Sequence, residues 1–206
     1  FHPTSEKPLH IYAGHFDGND HFDMMLSKVY KGNLVPVRGK QCSTEQNPIL
    51  AQKITSFRGF AESTMADIYG DEFLDSATHL VAQTLSSVQV LNQGNGKFQV
   101  SRLPSAAQAG PTRGGLILDV NGDDIPDFAG VGCTYEAEVE TVRYDANTGY
   151  VLLGDGQGGY VPMRQTGLKT EGNVRHICQV NIGEDLYLMT VCNGGPPGFF
   201  KLWSVH

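Results

Sequence analysis

Residues 115–132 read G-L-I-L-D-V-N-G-D-D-I-P-D-F-A-G-V-G. Two short apolar runs flank a loop of nine residues, and runs of that length bounded by turn residues read as strands. Inside the loop, Asp119, Asn121 and Asp123 carry oxygen donors at every second position, and Asp127 closes the run. Four aspartates so close together repel one another, so the segment needs something to offset its charge. A hard cation such as calcium takes six to eight oxygens and suits a tight loop with alternating donors. Asp119, Asn121 and Asp123, a backbone carbonyl near Ile125, and Asp127 are the expected ligands. Gly122 permits the bend, and Asp124, off the alternation, points to solvent. The start resembles an EF-hand loop, but strands flank it and the twelfth position is Gly130 rather than glutamate. The competing reading is an Asx-rich turn that closes without an ion.

Working outward, the chain punctuates short apolar segments with turns. Glycine, at 25 of 206 residues, is frequent enough to favour many turns and an all-β fold. L-H-I-Y-A-G (9–14), M-M-L-S-K-V-Y (24–30) and L-V-P-V (34–37) read as strands, as do the runs after Leu80. Residues 47–77 differ. Ile49, Leu50, Ile54, Phe57, Phe60, Met65, Ile68 and Tyr69 fall at roughly helical spacing, and Asn47-Pro48 is a good helix start. Two or three short helices inserted into a β protein are expected there.

The pattern repeats. Q-G-N-G-K-F at 93–98 matches D-G-Q-G-G-Y at 155–160, and H-F-D-G-N-D-H-F-D at 15–23 is an earlier relative of the acidic loop. Each unit reads as strand, acidic loop, strand, excursion, strand, glycine turn, strand. Four-stranded units repeated at tens of residues are the mark of propeller blades. Blade one is expected over 9–101 with the helices at 47–77 inserted, blade two over 113–163, and an incomplete blade three over 173–204. In the first loop Asp17, Asn19 and Asp23 form a weaker second calcium site, because His15 stands where an acid should lead.

The segments A-G-H-F-D-G-N-D-H-F-D (13–23), L-N-Q-G-N-G-K-F (91–98), L-I-L-D-V-N-G-D-D-I-P-D-F (116–128) and Y-V-L-L-G-D-G-Q-G-G-Y (150–160) resemble the VCBS/FG-GAP repeat family. Its β-propeller blades are like those of the integrin α-subunit head. More narrowly, the chain resembles the C-terminal part of large bacterial secreted or surface VCBS-repeat proteins. The resemblance implies extracellular placement, calcium in the acidic loops, and a binding or scaffold role toward protein or glycan. The chain departs from the family at Asp20 and Asp124, where glycine is usual, and V-N-I-G-E-D-L (180–186) lacks the ligands. Three blades also fall short of the four a propeller needs to close. Another chain, or further blades of the same one, is therefore expected at the open sheet edges.

The bulk numbers narrow the alternatives. A net charge of −7 argues against nucleic acid, which calls for a basic patch. No apolar run is long enough for a membrane span. The chain begins at Phe1 and is read as a mature or processed piece, secreted, periplasmic or on the outer surface. Cys42, Cys133, Cys178 and Cys192 match no zinc spacing and are expected as free, buried thiols. In a two-residue turn register Cys178 faces Met189 rather than Cys192. His10, His15 and His21 are too irregularly spaced for a zinc site. Gly94, Gly96, Gly154, Gly156 and Gly158 lie between strands, so they mark turns rather than a phosphate loop. Two further functions stay open. One is a carbohydrate-active enzyme using Glu136, Glu138 or Glu140 as acid or base. The other is an assembly subunit joined by strand addition.

Overall fold

The computed structural model describes residues 2–16, 21–137 and 141–202. The chain divides into two compact units, 1–85 and 86–206. Among the described residues there are thirteen strands and five α-helices, none of the helices longer than seven residues. The chain is thus mainly β, in antiparallel sheets that form no closed barrel.

In the first unit β1 (Leu9–Gly14), β2 (Asp23–Tyr30), β3 (Asn33–Pro36) and β4 (Thr78–Ala82) form one sheet in the order β3-β2-β1-β4. β2 and β3 turn through Lys31 and Gly32, both at positive φ, the pairing that matches strand twist in a two-residue hairpin. The helices lie between β3 and β4. They are α1 (Lys40–Gln46), α2 (Ile49–Lys53), α3 (Phe57–Glu62), α4 (Met65–Tyr69) and α5 (Asp71–Ser76). Local caps cut them short. Ile49 N donates to Asn47 Oδ1, Gly59 N donates to Ser56 Oγ, and Thr64 and Asp67 form a reciprocal capping box. Leu50, Phe60, Met65, Ile68 and Tyr69 pack with Tyr12, Phe16 and Met25 into the core of this unit. Ile49 and Phe57, which share the helical spacing, are instead exposed. Helix also begins earlier than 47. In α1 the only buried residue is Ser43, so that helix carries no apolar stripe for a periodicity reading to find.

The expected first blade, 9–101, is corrected at its end. β4 returns to pair with β1, Leu9 opposite Ala82, and completes four strands by residue 82. β5 (Val88–Gly94) and β6 (Lys97–Arg102) form a separate two-stranded sheet in the second unit. The Gln108 side chain fastens that hairpin to the 3-10 turn at Ser105–Gln108. Its amide donates to the Ser87 and Leu103 carbonyls, and its oxygen accepts from Ser87 N.

The second unit includes the segment 113–163. β7 (Gly114–Leu118), β8 (Asp127–Val131), β9 (Tyr150–Gly154) and β10 (Tyr160–Pro162) form a four-stranded meander in the order β10-β9-β8-β7. β11 (Asn173–Ile182), β12 (Asp185–Asn193) and β13 (Gly198–Lys201) form a three-stranded one. Leu118, Ala129, Val131 and Val151 from the former meet Val174, Ile177 and Leu188 from the latter in one core cluster. The approach is close enough that a Cβ on Gly114 would sit 2.9 Å from the His176 Cα. Cys178 pairs with Met189 across the β11–β12 hairpin, and Cys133, Cys178 and Cys192 carry free thiols. Cys133 is buried and the other three are half-buried.

Candidate functional site

The acidic loop joins β7 to β8, and its side chains bind its own backbone. Asp119 Oδ1 accepts from the amides of Asn121 (3.2 Å), Gly122 (2.7 Å) and Asp123 (3.3 Å), and Oδ2 accepts from Asp124 N at 2.9 Å. These N–H donors, Asp124's first, hold the Asp119 carboxyl below the usual carboxylate range. Asn121 Oδ1 accepts from Asp123 N at 3.2 Å, and Asp123 Oδ1 accepts from Ile125 N at 2.8 Å. Asn121 Nδ2 donates to Asp123 Oδ2 at 2.9 Å. Asp119, Asn121 and Asp123 are thus gathered by successive Asx turns on an exposed loop. Asp124 takes the left-handed conformation with φ +63, a region that favours glycine.

Asp127 is fully buried at the start of β8. Its Oδ2 accepts from Val120 N at 2.9 Å and its Oδ1 from Gly154 N at 2.8 Å. One carboxylate therefore pins the loop entrance and the end of β9 together. The Gly154 bond had no local signal, because the partner lies 27 residues away. Among the described residues no three His, Cys, Asp or Glu side chains converge as a metal cluster.

In the first loop, Asp17 and Asn19 lie outside the described residues. Asp23 opens β2 as Asp127 opens β8. It is buried, and its Oδ2 has no hydrogen-bond partner. His15 Nδ1 is 2.9 Å from the His21 carbonyl, so the ring serves the loop backbone.

Of the glutamates considered for catalysis, Glu138 and Glu140 lie outside the described residues. Glu136 is exposed but has three side-chain partners. Oε1 accepts from Asn173 Nδ2 at 2.7 Å and Asn193 Nδ2 at 3.0 Å, and Oε2 pairs with Arg175. The Asn173 amide, the residue's own backbone N–H and the Arg175 charge hold its carboxyl below the usual range. Glu136 thus joins Asn173, Arg175 and Asn193 through one carboxylate. A cavity of about 680 Å³ opens beside it, lined in part by Tyr135, Thr170, Asn173, Cys192 and Phe200.

No family model matches the chain, and neither does any curated protein or solved structure. The likeness to VCBS/FG-GAP repeats rests on the residues quoted above.

Proposed function

We propose that the chain is an extracellular binding or scaffold module built from propeller-type blades, with calcium held as a structural ion in the loop at 119–127. The observation that carries this reading is the gathering of Asp119, Asn121 and Asp123 on an exposed turn whose backbone is already fixed. The donor set suits a hard cation, being oxygen throughout. Carboxylates have more lone pairs than backbone amides use here: Asp123 accepts one bond on each oxygen, and a carboxylate offers about four sites. Asp119, Asn121, Asp123 and the Ile125 carbonyl would hold the ion, with the Asn121 amide turned to present its oxygen. Asp127 closes the loop behind them through Val120 and Gly154. The ion would offset the repulsion among Asp119, Asp123 and Asp124.

The scaffold reading draws on the sheet edges. β3 and β4 bound the first sheet, β7 and β10 the second, and β11 and β13 the third. Open edges invite strand addition by another chain or by further blades, and glycan is the other partner class the resemblance implies. Among the described residues no helix is long and apolar enough to cross a membrane.

Thermal unfolding in excess calcium against excess chelator tests the ion. Binding to the folded state alone contributes about 2.7 kcal/mol at a hundredfold excess over Kd. At about 2–4 °C per kcal/mol for a chain of this size, the midpoint should rise by roughly 5–10 °C. Magnesium should restore little, because it demands a smaller octahedral shell. Asp123→Ala should abolish the response and Asp124→Ala should keep it. Identical melting of the wild type in both buffers would leave the loop as a polar turn and overturn the calcium reading.

A further inference from the structure

In the first sheet two histidines far apart in sequence meet. His10 on β1 and His79 on β4 place Nδ1 and Nε2 3.0 Å apart. The register explains it. Tyr12 lies opposite His79 and His10 opposite Val81, so His10 and His79 are diagonal neighbours on one face. The Tyr12 ring stacks on His79 at 4.3 Å with 2° between the planes, and the His10 ring stacks at 5.2 Å and 13°. Both rings are therefore oriented by neighbours and carried on strands, the kind of support that keeps ligands in place.

We propose that His10 Nδ1 and His79 Nε2 are two ligands of an open site for an imidazole-preferring divalent transition metal, zinc being the probe of choice. Two nitrogens at 2.0–2.1 Å from a tetrahedral zinc stand about 3.3 Å apart, so the pair must open by a few tenths of an ångström and the rings must turn until both lone pairs meet at one point. The metal-free pair is a hydrogen bond in which one facing nitrogen carries a proton and the other accepts it. Metal binding needs both lone pairs. The proton on the facing nitrogen moves to the far nitrogen of its own ring, both rings stay neutral, and no net proton is released. Water would complete the coordination shell around the two imidazoles. A cavity of about 580 Å³ reaches His79 and Tyr12 and is also lined by Asp71 and Asp75. The two carboxylates in that lining favour a cation. Imidazole ligands select zinc, copper or nickel over calcium, which separates this site from the acidic loop in both place and chemistry.

The experiment is calorimetric titration of the chelator-stripped chain with zinc, at neutral pH and without added calcium. One zinc per chain is expected. His10→Ala and His79→Ala should each weaken binding by more than about tenfold, since even the loss of a supporting partner to a ligand costs about 10- to 100-fold. His176→Ala, in the other unit, and Asp123→Ala, in the acidic loop, should leave zinc affinity unchanged. Circular dichroism establishes that each variant folds. Should an alanine variant fail to fold, His79→Gln takes its place, and the wild-type His10 and His79 ring resonances, followed by NMR on zinc addition, give a second readout. Absence of zinc binding, binding unaltered in folded His10 and His79 variants, or ring resonances that stay put would each overturn the proposal. Loss of zinc binding on Asp123→Ala would do so as well.

Discussion

Asp127 offers the sharpest test of how the second unit is held together. Its buried carboxylate accepts Val120 N and Gly154 N, one on each oxygen. A hydrogen bond to a charged group is worth about 1.5–3 kcal/mol, so Asp127→Ala removes two such bonds and strands two amide donors. Val120 is only half-buried, and water can reach part of what is lost. The lower end of the range, about 3 kcal/mol, is therefore the expected cost. At about 2–4 °C per kcal/mol, the midpoint should drop by roughly 6–12 °C. Asp127→Asn keeps the shape but turns an NH2 group toward one of the two donors, so it should recover less than half of the loss. The assay is urea or thermal unfolding in chelator, which removes any calcium contribution. Amide exchange adds resolution: Val120 and Gly154 should exchange faster while amides of the first unit stay protected. A cost below about 1 kcal/mol, the size of an ordinary neutral hydrogen bond, would mean that the carboxylate does not staple loop to sheet. Acceleration spread evenly over both units would refute the local account.

Three further outcomes follow from the same geometry. Asp124 sits at φ +63, so Asp124→Val should cost about 1–2 kcal/mol from the left-handed backbone, whereas Asp124→Gly should melt close to wild type. Gly114→Ala would press a Cβ to 2.9 Å from the His176 backbone and 3.0 Å from Ile177 N; an unfolding cost of about 1–3 kcal/mol is expected, larger than for Gly115→Ala, whose Cβ meets only the Phe128 ring. The Asp119 carboxyl is held below its ordinary value by backbone donors. Its contribution is therefore present above the unfolded value near 3.9 and lost as pH falls through the folded one. Asp119→Asn should lower the midpoint at pH 7 and flatten the acid side of the stability curve, which a pH series of melting scans would show.

How much of this was legible in the sequence depended on how far each interaction reaches along the chain. The acidic loop is local: each partner of Asp119 lies within five residues, so the spacing of the donors already contains the turn. The meander of β7–β10 is nearly as local, each strand pairing with the next along the chain. Reading fails where a partner is distant or the signal is not apolar. β4 reaches back across the helices to β1, and nothing in T-H-L-V-A says which strand it joins. Counting strands in order therefore assigned the hairpin at 88–102 to the wrong unit. α1 escaped because it buries almost nothing. His10 and His79 are 69 residues apart, and only the register of β1 against β4 brings them together.

Asp23 and Asp127 show the same limit from the other side. Both open the second strand of a four-stranded sheet, both follow an acidic loop, and the sequence treats them as equivalents. They differ in what the third strand supplies. Gly154, on β9, sends its N–H to Asp127 because β9 follows β8 as its neighbour. In the first unit β2 lies between β1 and a short β3, and Asp23 Oδ2 is left buried without a hydrogen-bond partner. An unpaired buried carboxylate oxygen is costly. The sequence thus places an acid at both positions, whereas the fold puts a backbone donor on each Asp127 oxygen and leaves Asp23 Oδ2 without one.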